Sequence, residues 1–290
     1  MPDMSKNTIK TYVLLAALGG FFIIVGGAIF KGPGLWLGLF LGLAMVGGSY
    51  WFSDKIAVKA ARAVPVTEAE APALYRIVGE LTMRANMPMP RLYVTPDLQP
   101  NAFATGRSPD HAAVACTQGI MQMLTEDELK GVLAHELSHV GNRDILIGSV
   151  AASIAMAITF VARMAMWGAI FGGGGRDRNR NPMGELAFAI LAPVAAMFLQ
   201  MALSRSREFE ADRSGALLLG TGEPLARALE KIEAAAKKIP MDVNPAQAQA
   251  YIVNPLTGRQ MSFAKLFTTH PATAERIERL RHMHPGAARF

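Results

Sequence analysis

Four long apolar runs alternate with stretches of mixed polar and apolar residues, and this alternation sets the first expectations. Thr11 to Phe30 is an uncharged run of 20 residues between Lys10 and Lys31, and Gly32 to Ser53 is another of 22 before Asp54. Each is long enough, as a helix, to cross about 30 Å of hydrocarbon. The Lys31-Gly-Pro-Gly34 link is so short that the two form a tight hairpin. No clear small-x-small cleavage site follows the basic start, so the first run reads as a retained anchor. Trp36, Tyr50 and Trp51 stand near the ends of the second run, where interfacial aromatics belong. A third run starts at Ile145, reaches Ala162 and resumes after Arg163 to Phe171; a fourth covers Leu186 to Ser204. Arg163 lies near the far end of its run, which suits snorkelling to headgroups. The predicted organisation is a transmembrane hairpin at 1–53 (spans 11–30 and 33–52), a globular segment at 54–144, a second hairpin at 145–204 (spans 145–166 and 186–204), and a second globular segment at 205–290.

The mixed stretches carry their own periodicities. Thr67-Glu-Ala-Glu70 is a capping box that predicts a helix to about Asn86, with Ala71, Leu74, Ile77, Val78 and Leu81 on its apolar stripe. Pro88 and Pro90 end it. Arg91 to Pro96, Asn101 to Thr105 and His111 to Thr117 read as three short strands of a small antiparallel unit. A second capping box, Thr125-Glu-Asp-Glu128, opens another helix. Beyond the fourth run, Ser204 to Asp212 reads as a direct helical continuation, and Gly222-Glu-Pro224 restarts a charged amphipathic helix to about Lys238. The stretch from Asn244 to Thr269 is irregular. Ala272 to Met283 is a last helix with Ile277 and Leu280 inward and Arg/Glu pairs outward.

Composition agrees with membrane residence: 51% of the 290 residues are hydrophobic and only 18% charged. A net charge of +6 is compatible with nucleic acid, but the basic residues collect beside the apolar runs, where lipid headgroups explain them more simply. No nucleic-acid partner is expected. A single cysteine, Cys116, excludes an intramolecular disulfide and any cysteine-rich metal cluster. The Gly172 to Gly175 tract lacks the Lys-Ser/Thr of a phosphate loop and reads as a flexible turn.

The chemistry concentrates in His135-Glu136-Leu137-Ser138-His139, an H-E-x-x-H pentapeptide about three turns into the capped helix. On a helix the two histidines share a face, so both imidazoles reach one zinc ion while Glu136 stands beside its open position. A catalytic zinc takes three protein ligands, and the extended pattern with a third histidine fails because Ile145 occupies that place. Downstream, Glu208 and Glu210 both qualify, on faces about 200° apart. Asp212 lies one turn after Glu208, placed to hold a ligand histidine, so Glu208 is the expected third ligand. Two apolar runs separate these segments, so both runs cross the membrane or neither does. If all four cross, Lys6, Lys10, Lys55, Lys59, Lys130, Arg143, Arg205 and Arg207 share one side, against Lys31, Arg176, Arg178 and Arg180 on the other. The balance favours a cytoplasmic site.

The chain resembles the HtpX-type membrane zinc metalloproteases, relatives of the eukaryotic prenyl-protein proteases. The likeness runs through the amino-terminal hairpin, Asn101-Ala-Phe-Ala-Thr-Gly106, Leu133 to Val140, Ser206-Arg-Glu-Phe-Glu-Ala-Asp212, Ile252-Val-Asn-Pro-Leu256, Thr269-His-Pro271 and Arg276-Ile277. The fold then expected is a mainly α membrane protein, with four transmembrane helices plus a zincin-type α+β catalytic domain. The resemblance implies a zinc endopeptidase of the bacterial inner membrane that removes misfolded or damaged membrane proteins, with one Zn2+ per chain and room for membrane protease or chaperone partners. It also gives Glu208 as third ligand. Glu136 is the expected general base. Asn101, Ala102, Phe103, Ala104 and Thr105 are a candidate strand for pairing with extended substrate, and His270 is a candidate oxyanion donor. A prenyl-peptide (CaaX-type) protease and a non-cleaving membrane chaperone or scaffold are the alternatives. Glu136 argues against the scaffold, since a structural site needs no base. A transporter would need paired ionisable groups in mid-span, which the runs lack.

Overall fold

The computed structural model describes residues 51–145, 204–238 and 271–283, together with positions 47, 48, 191 and 194. Apart from positions 47, 48, 51–53, 145, 191, 194 and 204, the four apolar runs lie outside these residues, as do His270, Arg163, the Arg176 to Arg180 loop and Ile252 to Leu256. Among the described residues no helix is long and apolar enough to cross a membrane. The chain divides into two units, one of Met1–Met4, Tyr50–Ile145 and Ser204–Phe290, the other of Ser5–Ser49 and Leu146–Leu203. All the elements below belong to the first.

In chain order they are α1 (Ser53–Ala60), β1 (Val64–Pro65), α2 (Pro72–Ala85), β2 (Arg91–Thr95), β3 (Ala102–Thr105), a 3-10 turn (Pro109–His111), β4 (Ala113–Thr117), α3 (Gln118–Met123), α4 (Glu126–Gly141), α5 (204–219), α6 (Glu223–Lys238) and α7 (Thr273–Arg281). The Thr67 box forms, with the Thr67 N–H and hydroxyl donating to Glu70 Oε2 at 2.7 and 2.8 Å. It closes a turn rather than a helix, because the helix itself starts at Pro72, whose missing N–H is no loss at a first position. Its stripe of Leu74, Ile77, Val78 and Leu81 is buried, and Asn86 ends it in the left-handed conformation.

The expected antiparallel unit is a mixed sheet of order β1-β2-β4-β3. β1 and β3 pair antiparallel with their neighbours, but β2 and β4 run parallel, Arg91 opposite Ala113 and Thr95 opposite Thr117. The physical reason lies in the connection. Pro96 and Pro100 cannot donate to a hairpin ladder, so the chain passes beyond the place of β4, forms β3 at the edge, and returns between β2 and β3. β4 is thus the central strand, buried along its whole length.

Over this sheet lies α4, the most enclosed of the described helices, with every residue from Gly131 to Ser138 buried. Its capping box is complete: Thr125 accepts from the Glu128 N–H, and Glu128 accepts from the Thr125 N–H at 2.9 Å. Leu129, Val132, Leu133 and Leu137 join the α2 stripe, Val114, Cys116, Leu225, Leu229, Ile232 and Leu280 in one core. Two glycines set how closely other helices approach α4. A Cβ on Gly131 would lie 2.5 Å from the Leu225 nitrogen, and one on Gly215 would lie 3.0 Å from the His135 nitrogen. Small residues at these points let α6 and α5 pack against α4 backbone to backbone.

Candidate active site

One helical turn separates His135 from His139, so α4 presents both rings on one face. Their Nε2 atoms are 3.2 Å apart and the rings stand edge to face at 84°. From α5, Glu208 approaches with Oε2 3.7 Å from His135 Nε2 and Oε1 3.6 Å from His139 Nε2. Ligand atoms about 2.0–2.1 Å from a tetrahedral zinc lie about 3.3–3.4 Å from one another. The two imidazoles and the carboxylate, drawn within 4.8 Å of one another, therefore suit a tetrahedral metal with a fourth position open. Glu210, the rejected candidate, lies half-buried 3.7 Å from Arg213 Nη1 instead.

Carboxylates stand behind both histidines. Asp212 Oδ1 is 2.9 Å from His135 Nδ1, at hydrogen-bonding distance but off the in-line direction. Asp144 Oδ2 is 2.7 Å from His139 Nδ1. Each leaves Nε2 facing the common centre, the arrangement by which metal-ligating histidines are oriented and made more basic. Asp144 gets there because Arg143, at φ 57°, takes the left-handed conformation just past the helix and turns the chain back. Arg207 Nη1 then donates to the Asp144 carbonyl at 2.7 Å.

The electrostatics follow from this crowding. Burial disfavours charge on His139, but the bond to Asp144 and the carboxylates of Glu208 and Glu136 outweigh it and raise its pKa to about 9. Burial likewise works against the Asp212 anion, yet Arg276 above all, and then His135, hold its pKa down to about 2. Arg276 comes from α7 and is 1% exposed, with Nε and Nη2 forked on Asp212 at 2.9 and 2.7 Å. The outward face expected for the charged residues of that helix is therefore wrong at this position. Its place one turn before Leu280, which is also buried, was the available signal. Asp144 carries no comparable signal in the sequence around it.

Glu136, 6% exposed, accepts from the Ala104 N–H through Oε2 at 2.9 Å. That bond ties the pentapeptide to the edge strand β3. Within β3, Asn101 lies just before the first residue and donates its N–H to Thr117 Oγ1. Phe103 and Thr105 direct their backbone groups to β4, leaving those of Ala102 and the Ala104 carbonyl at the sheet edge.

The model of peptidase family M48 matches residues 68–284. The chain is 53% identical to a protease HtpX homolog of Syntrophobacter fumaroxidans, over 94% of this chain and 98% of that one. A protease HtpX homolog of Pelotomaculum thermopropionicum is 50% identical, over 96% and 99%. Among solved structures, that of S. mikatae Ste24p shares the fold with a TM-score of 0.59 at 20% identity, covering 95% of this chain and 65% of that one. The α4 helix with its H-E-x-x-H stands inside the matched span, and the chain belongs to peptidase family M48.

Proposed function

We propose that this chain is a membrane-integrated, zinc-dependent endopeptidase that hydrolyses peptide bonds of misfolded or damaged membrane proteins. The observation that carries the reading is the convergence of His135 Nε2, His139 Nε2 and the Glu208 carboxylate beside a buried Glu136. A zinc ion held by these three residues would supply Lewis acidity toward the scissile carbonyl and lower the pKa of a water. Glu136 takes a proton from that water and delivers it to the departing amine, while the water oxygen ends on the acyl carbon. The Ala104 N–H keeps the Glu136 carboxylate from rotating away. An extended substrate pairs along the Asn101 to Thr105 segment, which sets its carbonyl beside Glu136. Asp212 and Asp144 fix the ligand rings, and His270 is assigned as oxyanion donor.

The apolar runs at 11–30, 33–52, 145–166 and 186–204 give the chain four transmembrane helices, with the site facing the cytoplasm of a bacterial inner membrane. Unfolded polypeptides reach it from that side or from the bilayer. The test is proteolysis of an unfolded membrane protein by purified full-length wild type and Glu136→Gln, with zinc added or chelated. Glu136→Gln should be at least about 1,000-fold slower, and chelation should stop the wild type. Cleavage by the variant at the wild-type rate, or indifference to chelation, would overturn the mechanism. Glu208→Ala should lose bound zinc where Glu210→Ala keeps it. Preference for a prenylated peptide would change the substrate class and leave the mechanism in place.

A further inference from the structure

We propose that Arg276 is a positioning residue for the metal site, bracing its ligands through Asp212 and Glu208 and making metal binding depend on the seating of α7. The inference rests on the reading that His135, His139 and Glu208 hold the metal. One guanidinium reaches the support of one ligand and the carboxylate of another. It is forked on Asp212, whose Oδ1 faces His135 Nδ1 at 2.9 Å, and its Nη1 stands 3.6 Å from Glu208 Oε2. Its Nη2 is also 3.5 Å from His135 Nε2. A fork of this kind fixes the plane and the position of a carboxylate, which a point charge does not. Asp212, thus held, fixes the His135 ring.

Three contacts seat the helix that brings Arg276. Arg279 stacks over Phe209 at 3.8 Å, next to Glu208 on α5. Arg281 pairs with Glu223 at 3.2 Å and Glu230 at 3.0 Å on α6. The Leu280 carbonyl lies 2.4 Å from where a Gly222 Cβ would stand, so only glycine allows the approach. The site is therefore assembled from three separated parts of the chain: α4 and α5 give ligands, and α7 gives the brace. A cation so near a metal site also repels the metal. Asp212 matches that charge within the fork, which leaves the positioning effect dominant.

The experiment uses full-length protein in detergent, with zinc affinity read by chelator competition and ligand geometry by the visible spectrum of bound Co2+. Arg276→Met should bind zinc about 10–100-fold more weakly, as loss of partners behind metal ligands does, and should show an altered cobalt spectrum. Arg276→Lys should recover part of the affinity. The zinc-induced rise in melting temperature should shrink by more than the fall in the metal-free melting temperature, which a purely structural role would not produce. If Arg276→Met fails to fold, Asp212→Leu/Arg276→Met replaces the buried pair with an apolar one and is measured the same way. Wild-type affinity and spectrum in a folded Arg276 variant, or tighter zinc binding, would overturn the proposal. Zinc binding that survives His135→Ala would instead overturn the metal-site reading beneath it.

Discussion

His139 and Asp144 are five residues apart in the chain and 2.7 Å apart in space, and Arg143 makes the difference. Left-handed backbone at a residue other than glycine costs about 1 kcal/mol or more, and the bonds of Asp144 to His139 and Arg207 hold it there. Asp144→Ala is expected to weaken zinc binding about 10–100-fold while retaining all three ligands, measured by chelator competition. Unchanged affinity would mean that Asp144 does not orient His139. The grouping of His135, His139 and Glu208 was legible at this scale, because helical geometry separates Glu208 from Glu210 and aligns Asp212 with the former. Asp144 was not legible, since nothing in Gly-Asn-Arg-Asp144 announces a left-handed arginine. Arg276 was hidden by its neighbours Glu275, Glu278, Arg279 and Arg281, which make its helix read as a solvated one.

At the scale of elements, α4 is governed by its cap and by the backbones laid against it. Glu128 completes the capping box and receives Lys231 at 2.7 Å. Burial would raise its pKa, but the bonds from Lys231 and Thr125 lower it below the usual carboxylate value. Its contribution to stability is therefore full above the unfolded pKa of about 4.3 and disappears as pH falls through the lower folded value. Thermal melts from pH 7 to pH 3 should show Glu128→Gln less stable than wild type at neutral pH, the gap closing in acid. A constant gap would contradict this origin. Gly131→Ala should cost about 1–3 kcal/mol, because the added methyl meets the backbone of Leu225 and forces α6 outward. A melting temperature equal to wild type would show that the helices yield freely. Both capping boxes were legible as hydrogen-bonded turns, yet only the second starts a helix, since Pro72 fixes where the first helix begins. The strands were legible and their pairing was not. Local alternation reports which residues form a strand, whereas the parallel β2–β4 pairing is settled by the course of the chain through β3.

For the whole molecule, the unit that carries the site is built from two stretches of sequence, Tyr50–Ile145 and Ser204–Phe290, which must meet before any metal is held. That meeting can be timed with a natural label. Cys116, the chain's only cysteine, sits in the central strand β4 with no exposed surface, and burial, followed by the nearby Glu136 charge, pushes its thiol pKa up to about 12. At pH 8 a thiol of pKa about 8.5 is roughly a quarter thiolate, against about one part in 10,000 for Cys116. A maleimide should therefore label the native protein at least about 1,000-fold more slowly than the unfolded chain, and only as fast as the sheet opens. Rapid labelling without loss of structure would contradict the closed β4. Saturating zinc should slow the reaction further, because only the closed form gathers His135, His139 and Glu208. The one sulfhydryl that the chemistry does not use thus becomes a clock for the opening of the machinery around it.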